Sequence, residues 1–494
     1  MDGKSSEKKF VLLLCVAAAI HVFVFCAAFP FFNNVDEPAQ FDLVLEYSHG
    51  HAPRGETATS KEASLYLAIF CSCAYLGPAG GGPSPPLPWT LPADQMKQAV
   101  AINSAGWQTT KNYEGSEPPL YYALAGAWWD VGKCLGFSLG SLLYWIRFLN
   151  IVFVVALVWL SYGAAKIVFP ENQFVRLAVP LLVALMPQSA FYSIGNDVLS
   201  PICFGGLFLC VIKWFRAEHL SVRLGAITGL VFAATYLTKM TNLPLLAVAA
   251  VAIFLAIART HGTPGKAMPA LVTFFCCAVP PILGWMLWSK LNYGDLTGSK
   301  LKMEHFGWTL KPFSQWWHHP IFSPIGVWTY LSGQLSTFWQ GEFEWYYPPL
   351  GRPMALPGTA AIYTLLTFAV TVVASPALLP NKNPDQSQRH ALQLNLACCG
   401  TTLAFFALAS VIYDFHDCVN PSRQHPFFQA GRMMLGTLIP FLLLFACGID
   451  RALNRFGNRT KFTVLTVLVL VMLVVEIATN WPAFPNQYNW FHLP

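Results

Sequence analysis

Apolar segments of about 20 residues alternate with short polar loops through most of the chain. A helix needs roughly 20 apolar residues to cross the hydrocarbon core of a bilayer, and these segments approach that length. The pattern therefore predicts an all-α polytopic membrane protein with about eleven transmembrane helices, folded as one membrane domain over residues 1–494. The predicted spans are 10–29, 142–165, 174–193, 198–215, 222–238, 241–258, 268–288, 358–379, 391–413, 433–448 and 462–480.

Residues 30–141 contain two further apolar segments, 64–76 and 119–136. Segment 64–76 is short for a helix that crosses the bilayer. We therefore predict that both segments are interfacial or re-entrant helices in a long first outer loop. If both segments cross the membrane instead, the number of spans rises to thirteen. The first span, 10–29, is also compatible with a cleaved signal peptide, although its apolar run is longer than the usual signal core.

Positive charges predict the orientation of the spans. Lys and Arg concentrate in cytoplasmic loops, and here they fall in alternate loops. The alternation places the N-terminus in the cytoplasm and the C-terminus outside, in a multi-pass protein of the cytoplasmic (inner) membrane. The outer loops are then 30–141, the Trp-rich 290–357 and 414–432. The basic loop residues are Lys166, Arg176, Lys213, Arg216, Arg223, Arg259, Lys266, Lys382, Arg389, Arg451, Arg455, Arg459 and Lys461.

Composition agrees with a membrane protein. The chain is 55% hydrophobic and 11% charged, whereas soluble domains carry about 25% charged residues. The net charge of +6 reflects basic loops, and no Lys/Arg run is long enough for a nucleic-acid site. The predicted partner is therefore the lipid bilayer and not nucleic acid. The thirteen cysteines show no CxxC spacing, so a zinc site is not predicted.

Asp36 and Glu37 lie a few residues after the first span. One interpretation is local, because Pro38 favours a helix start and acidic residues stabilise a helix N-terminus. The functional interpretation is a general base, or a ligand for a divalent cation such as Mg or Mn, at the membrane surface. Adjacent side chains diverge, so only one would reach the reacting atoms, and we predict that this residue is Asp36.

Glu114 and Glu117 lie near the other end of the first outer loop, before Pro118-Pro119. The prolines by themselves are consistent with the start of a helix. The functional interpretation places Glu114 or Glu117 beside Asp36, so that both ends of the loop contribute to one site.

Arg147, Lys239 and Arg432 lie at or near the outer ends of three spans. Charges beside spans are costly and tend to mark function. Snorkelling of Arg147, solvation of Lys239 and headgroup anchoring by Arg432 are the simpler interpretations. The functional one is that all three bind the phosphate of a lipid. For Asn196-Asp197, in contrast, capping of the helix that follows is predicted in preference to a catalytic role.

The order of these motifs resembles the GT-C superfamily of membrane glycosyltransferases, near a bacterial branch related to the protein O-mannosyltransferase and lipid A aminoarabinose transferase families. The matching elements are Asp36-Glu37-Pro38, Glu117-Pro118-Pro119-Leu120-Tyr121-Tyr122, Arg147 and Gln429-Ala430-Gly431-Arg432. Related enzymes often have His where this chain has Glu117.

The resemblance implies transfer of a sugar from a polyprenyl-phosphate carrier to a glycan, lipid or protein acceptor on the outer face of the membrane. It implies that Asp36 is the base or holds a divalent ion, with Glu37 and Glu117 as further catalytic candidates. Substrate-binding candidates are Glu114, Tyr121, Arg147, Lys239 and Arg432.

Two other functions remain open from the sequence. A polysaccharide or lipid transporter, or flippase, would carry charges deep within its spans and repeated halves with broken helices. A non-catalytic protein of cell-envelope assembly would have similar outer loops without needing a lipid-monophosphate donor.

Overall fold

The computed structural model describes residues 3–34, 36–71, 86–187, 189–260, 264–340, 386–418 and 421–493, together with residues 365, 369 and 372. These residues are mostly α-helical, as predicted. The helices are α1 (Gly3–Ala28), α2 (Glu37–Ser48), α3 (Lys61–Phe70), α4 (Ala93–Trp107), α5 (Leu120–Cys134), α6 (Leu139–Val168), α7 (Gln173–Leu185), α8 (Ser200–Arg216), α9 (Val222–Thr238), α10 (Leu243–Thr260), α11 (Pro264–Tyr293), α12 (Ser299–Phe306), α13 (Phe313–Trp316), α14 (Pro324–Gln340), α15 (Gln386–Ile412), α16 (Leu438–Ala452) and α17 (Asn458–Asn480).

Short 3₁₀ helices and one pair of strands join these elements. The 3₁₀ helices are Pro88–Thr90, Tyr113–Ser116, Ser189–Tyr192, Asn196–Leu199, Met240–Asn242, Pro320–Phe322, Gly431–Thr437 and Trp481–Ala483. Strand β1 (Thr309–Leu310) pairs antiparallel with β2 (Tyr413–Asp414), with Thr309 opposite Asp414.

Eight helices in the described part of the chain are long and apolar enough to cross a membrane. They are Ser6–Ala28, Leu139–Val168, Asn196–Arg216, Met240–Ala258, Gly265–Tyr293, Gln388–Ile412, Gly431–Ala452 and Asn458–Asn480. The architecture is thus that of an all-α membrane protein. The predicted total of eleven or thirteen spans is not reproduced, because three of the eleven predicted segments are not among the eight.

Each of those three segments differs from its predicted span for a separate reason. Predicted span 174–193 is too long, since α7 ends at Leu185 and the backbone before Pro187 is disfavoured in helical conformation. Segment 222–238 does form α9, but with 17 residues it is a shorter apolar helix. Segment 358–379 lies outside the described residues, apart from three isolated helical positions.

The two apolar segments of the first outer loop form α3 and α5, of 10 and 15 residues. Neither is among the eight span candidates, and residues 72–76 lie outside the described part of the chain. Helix α5 packs closely against α2. A methyl group at Gly126 would come within 2.8 Å of the Ser48 backbone nitrogen, so glycine at this position permits the close approach of the two helices.

Burial separates central from peripheral spans. In Gly431–Ala452 the apolar window is 83% buried within the protein, whereas in Gly265–Tyr293 it is only 22% buried. The first of these spans therefore occupies the centre of the bundle, and α11 presents apolar side chains outward, as lipid contact requires. Helices α9 and α11 approach through Gly225 and Gly229, where a side chain would overlap Ala270 and Cys277. Small residues four apart are a common device for close helix packing in membranes.

Parts of the three predicted outer loops meet at one end of the bundle, which we call the loop end. The pairing of β1 with β2 joins residues 290–340 to residues 414–432. Lys302 of α12 reaches Glu114 of the first loop. The opposite end is held by pairs between Arg176 and Glu7, and between Lys461 and Asp450. The loop end therefore gathers the candidate residues.

Candidate active site

Four charged side chains form a continuous ion-pair chain at the loop end. Arg432 donates hydrogen bonds to Asp36 and, at 2.8 Å, to the Oδ2 atom of Asp197. Lys239 Nζ lies 2.6 Å from the other Asp197 oxygen. The hydroxyl of Tyr113 donates to Asp36 Oδ1 at 2.9 Å. Asp197, Lys239 and Arg432 are each at most 5% exposed, so these charges are stabilised mainly by one another.

Breaks between helices place these groups. Asp36 precedes α2, which it does not cap with its side chain. Lys239 lies at the break between α9 and the helix Met240–Asn242. Arg432 is the second residue of the helix Gly431–Thr437, where any side chain at Gly431 would overlap the Gln334 carbonyl oxygen of α14. Glycine at 431 thus permits the close contact that fixes Arg432.

A second cluster surrounds Lys302 of α12. Its ammonium group is 3.1 Å from both carboxylate oxygens of Glu114, and it also donates to Glu117. Glu114 further accepts a hydrogen bond from Gln40, and Glu117 accepts one of 2.9 Å from Asn196. Asn196 adjoins Asp197, so the two clusters are neighbours along the chain as well as in space.

The two clusters together contain one more carboxylate than cation. Burial opposes ionisation of Asp36, but the nearby Arg432 guanidinium outweighs it and lowers the pKa of Asp36 to about 2. Glu114 behaves oppositely, because burial raises its pKa to about 7. The attraction of Lys302 opposes this rise, while the charges of Glu117 and Asp36 add to it. The site therefore contains one firmly ionised carboxylate and one that exchanges a proton near neutrality.

Arg147 and Glu37 form a separate, fully enclosed pair. The guanidinium contacts both oxygens of Glu37, at 2.9 Å and 2.8 Å, and also donates to the carbonyls of Phe29 and Pro30. Glu37 accepts backbone N–H bonds from Phe32 and Ile194 as well. Breaking a buried pair of this kind typically costs about 3–5 kcal/mol. The pair thus fixes the end of α1 against α2 and α6, next to the ion-pair chain.

A family model for predicted membrane proteins, DUF2142, matches residues 19–414. The chain belongs to the DUF2142 family. The match includes the candidate residues from Asp36 to Lys302, whereas Arg432 lies after it. No protein with a curated description matches the sequence.

Among solved structures, a crystal structure of the Archaeoglobus fulgidus oligosaccharyltransferase complex with Zn and sulfate is similar to this DUF2142 chain at 11% sequence identity. The comparison covers 94% of this chain and 52% of the archaeal one, with a TM-score of 0.35. The chain thus spans about half the length of that protein, and a TM-score of this size does not establish a shared fold.

The sequence interpretation missed two functional candidates in this DUF2142 protein. Asp197 caps no helix; neither the helix Asn196–Leu199 nor α8 has a side-chain cap, and its carboxylate joins Lys239 to Arg432. The signal that could have identified Asp197 is its position at the start of an apolar span, where an acidic residue is energetically costly. Lys302 carried no such signal, because it lies among several other charges of the second outer loop.

The segment 193–197 connects the enclosed pair to both clusters. Ser193 accepts a hydrogen bond of 2.6 Å from Asn34, and Ile194 binds Glu37. The backbone nitrogen of Gly195 donates to the hydroxyl of Tyr121 at 3.1 Å. Two predicted residues of the first outer loop, Glu37 and Tyr121, thus contact this segment directly.

The donor set does not fit a divalent cation well. No group of three or more His, Cys, Asp or Glu side chains suited to a metal occurs in the ranges that the structure describes. The oxygens of Asp36 and Asp197 are occupied by Arg432, Lys239 and Tyr113. A cation there would have to compete with two buried positive charges, those of Arg432 and Lys239.

Proposed function

We propose that this membrane protein transfers a sugar from a polyprenyl-phosphate carrier to a hydroxyl-bearing acceptor at the loop end of the bundle. The observation that carries the proposal is the buried ion-pair chain of Asp36, Arg432, Asp197 and Lys239, with the proton-exchanging Glu114 beside it. Glycosyl transfer needs both of these functions, because a phosphate must leave and an acceptor must lose a proton.

In the proposed reaction, the acceptor oxygen forms a bond to the anomeric carbon of the sugar. The bond from that carbon to the phosphate oxygen breaks, and its electron pair leaves with the polyprenyl phosphate. The phosphate gains one negative charge in this step. Cations already fixed where the charge develops stabilise the transition state, and Arg432 and Lys239 are the groups placed to do so.

Glu114 suits the role of general base better than Asp36. The ideal base has a pKa near the working pH. The pKa of Glu114, about 7, meets this criterion, whereas the pKa of Asp36, about 2, does not. Asp36 then keeps Arg432 in position and supplies a fixed negative charge near the positively charged sugar. Asn196 can also bind a sugar hydroxyl, because its Oδ1 is buried without a partner in the described structure.

The polyprenyl tail requires an apolar space between spans. A wholly apolar cavity of about 100 Å³ lies between α9, α10 and α11, with Phe232, Ala250 and Phe274 among its walls. Phe232 of α9 precedes Lys239, which directly follows that helix, by seven residues, or about 10 Å along the helix axis. A tail in this cavity would therefore have its phosphate near Lys239.

The proposal is tested by polyprenyl-phosphate binding to the purified protein. Loss of one charge-assisted hydrogen bond costs about 1.5–3 kcal/mol, so we expect Arg432→Ala to weaken binding about 10- to 150-fold. Arg432→Lys should recover only part of this loss, because an ammonium group cannot bind two phosphate oxygens side by side.

Lys97→Ala is the matched control, since Lys97 is an exposed cation in the first outer loop. Thermal stability is measured in parallel for every variant. Unchanged binding in folded Arg432→Ala and Lys239→Ala variants would remove the donor-phosphate site from this cluster.

Transport of a lipid or polysaccharide is a second candidate, favoured by a buried polar triad. His21 of α1 lies 2.9 Å from Glu476 of α17, and the Tyr192 hydroxyl lies 2.5 Å from the same carboxylate. Charged groups within spans often mark transport paths. However, His21 lies only seven residues, or about 10 Å, from the end of its span at Ala28, so the triad belongs to the loop-end half of the bundle. Movement of labelled lipid from one leaflet to the other in vesicles that contain the protein, without sugar transfer, would favour this candidate.

A further inference from the structure

A polar pocket lies at the loop end, away from the ion-pair chain. Its volume is about 440 Å³, and its walls include Lys311, Gln315, His318 and Arg423. None of the residues of the two charged clusters lines it. One wall comes from the second outer loop and the other from the third, so the pocket exists only because these loops meet.

Backbone contacts fix the two walls relative to each other. The β1–β2 pairing is extended by a hydrogen bond of 2.8 Å from the Lys311 nitrogen to the Ile412 carbonyl. His319 adds a second connection, because its Nε2 lies 2.9 Å from the Pro426 carbonyl oxygen and its Nδ1 accepts from the Ile321 nitrogen. Acceptance at Nδ1 requires the proton on Nε2, so His319 is neutral and acts as part of the wall.

Two cations of this pocket have unused hydrogen-bonding capacity. The Lys311 ammonium group makes no hydrogen bond or ion pair within the described residues. Arg423 is held along one edge by Asp414, at 3.3 Å and 3.2 Å, and by His416 at 2.6 Å. Its Nη1 donors have no partner in the parts of the chain that the structure describes. An oriented guanidinium edge next to a lysine is well suited to phosphate oxygens.

An exposed aromatic patch is interleaved in sequence with the pocket residues Lys311, Gln315 and His318. Phe313, Trp317 and Phe322 are 64%, 65% and 58% exposed. Trp317 contacts the other two rings, with centroids 5.8 Å and 6.0 Å apart. Ile325, on the next helix, is 79% exposed. Exposed aromatic rings next to cations are typical of the boundary between lipid headgroups and acyl chains.

We propose that the pocket binds the phosphate of an anionic lipid headgroup, with Lys311 and Arg423 as ligands and the patch of Phe313, Trp317 and Phe322 in contact with the lipid chains. The shared chemistry is a phosphate group next to an apolar body. A soluble phosphate ester offers the first feature without the second, and the aromatic patch favours the lipid. The site is distinct from the proposed donor site and does not depend on glycosyl transfer.

The experiment measures binding of dioleoyl phosphatidylglycerol and dioleoyl phosphatidylcholine to the purified protein by native mass spectrometry. We expect a preference for phosphatidylglycerol. Lys311→Gln and Arg423→Gln should each reduce that preference about fivefold. Lys300→Gln is the control, because Lys300 is an exposed cation of the same loop that pairs only with Glu304 in the described structure. Trp317→Ser should weaken binding of both lipids without changing the response to inorganic phosphate.

Each alternative outcome overturns the proposal in an identifiable way. Equal binding of the two lipids would exclude a headgroup site here. An undiminished preference for phosphatidylglycerol in both Lys311→Gln and Arg423→Gln would exclude it as well. Full competition by inorganic phosphate with no effect of Trp317→Ser would assign the pocket to a soluble phosphate ester. Displacement by a neutral oligosaccharide would assign it to a glycan. Lys311→Gln and Arg423→Gln should leave polyprenyl-phosphate binding unchanged, so failure here is separable from failure of the donor site.

Discussion

Asp36 and Glu114 lie in neighbouring clusters but have opposite acid–base properties. Arg432 keeps Asp36 ionised with its pKa near 2 despite burial. Glu114 shares its cation, Lys302, with Glu117, and burial raises its pKa to about 7. Two carboxylates with widely separated pKa values are a common arrangement in enzymes, because each can then perform a different task. At the residue scale, this difference is the strongest reason to assign the base to Glu114.

The assignment predicts the pH dependence of transfer. A base must be unprotonated, so kcat/KM should fall as the pH falls through about 7, and Glu114→Gln should reduce transfer about 100- to 10,000-fold. Glu117→Gln removes a like charge, so the pKa of Glu114 should fall and the pH profile should move to lower pH. Lys302→Met removes an opposite charge and should move it to higher pH. The measurement is initial-rate sugar transfer between pH 5 and 9.

Lys300→Met is the control for these shifts, since Lys300 occupies the same helix as Lys302 but does not contact Glu114. A profile that is flat from pH 5 to 9, together with inactive Asp36→Asn, would return the role of base to Asp36.

Several residues of the candidate site could be singled out from the sequence because charged groups beside apolar spans are conspicuous. Asp36, Lys239 and Arg432 all have this property, and all three lie in the ion-pair chain. Their partners could not be predicted, because Asp36 and Arg432 are 396 positions apart and only the packing of the spans brings them together. Asp197 was assigned a local capping role that explained its position equally well in sequence.

At the scale of elements, α12 covers the candidate base. Glu114 is only 4% exposed, and Lys302 of α12 contacts it directly. Gly298 and Gly307 flank the helix with φ of +72° and +67°, a conformation that favours glycine. His305 also contacts Tyr113, with ring centroids 5.2 Å apart. We therefore expect a substrate to reach Glu114 when α12 moves away from the helix Tyr113–Ser116.

This expectation predicts that a covalent crosslink between α12 and the helix Tyr113–Ser116 stops turnover. Cysteines introduced together by Tyr113→Cys and His305→Cys, in a background without natural cysteines, should form a crosslink under oxidation. We expect sugar transfer to fall at least tenfold on oxidation and to recover on reduction, because α12 can then move again. The two single substitutions are the controls and should not respond to oxidant. Full activity in the crosslinked protein would mean that substrates enter by another route.

At the scale of the whole molecule, the sequence pattern separates two ends of the bundle. Residues of loops predicted to share one side, 30–141, 290–357 and 414–432, meet at the loop end. Residues of the basic loops lie at the other end, where Arg176 pairs with Glu7 and Lys461 with Asp450. The order of the apolar segments and the alternation of Lys/Arg-rich loops predicted this segregation. The number of spans was harder to predict, because Pro187 ends α7 early and α9 is only 17 residues long.

The orientation of these ends is the last prediction. The concentration of Lys and Arg at one end predicts that this end is cytoplasmic, which places the loop end outside the cell. In a cysteine-free background, His51→Cys and Lys300→Cys should react with a membrane-impermeant maleimide added to intact cells, because both positions are exposed at the loop end. Glu171→Cys and Asn458→Cys, exposed at the other end, should react only after the cells are opened. The reverse pattern would place the ion-pair chain in the cytoplasm, where an acceptor outside the membrane could not reach Glu114. Labelling of both ends in intact cells would mean that the positions do not lie on opposite sides of one membrane, and the span assignment would fail with it.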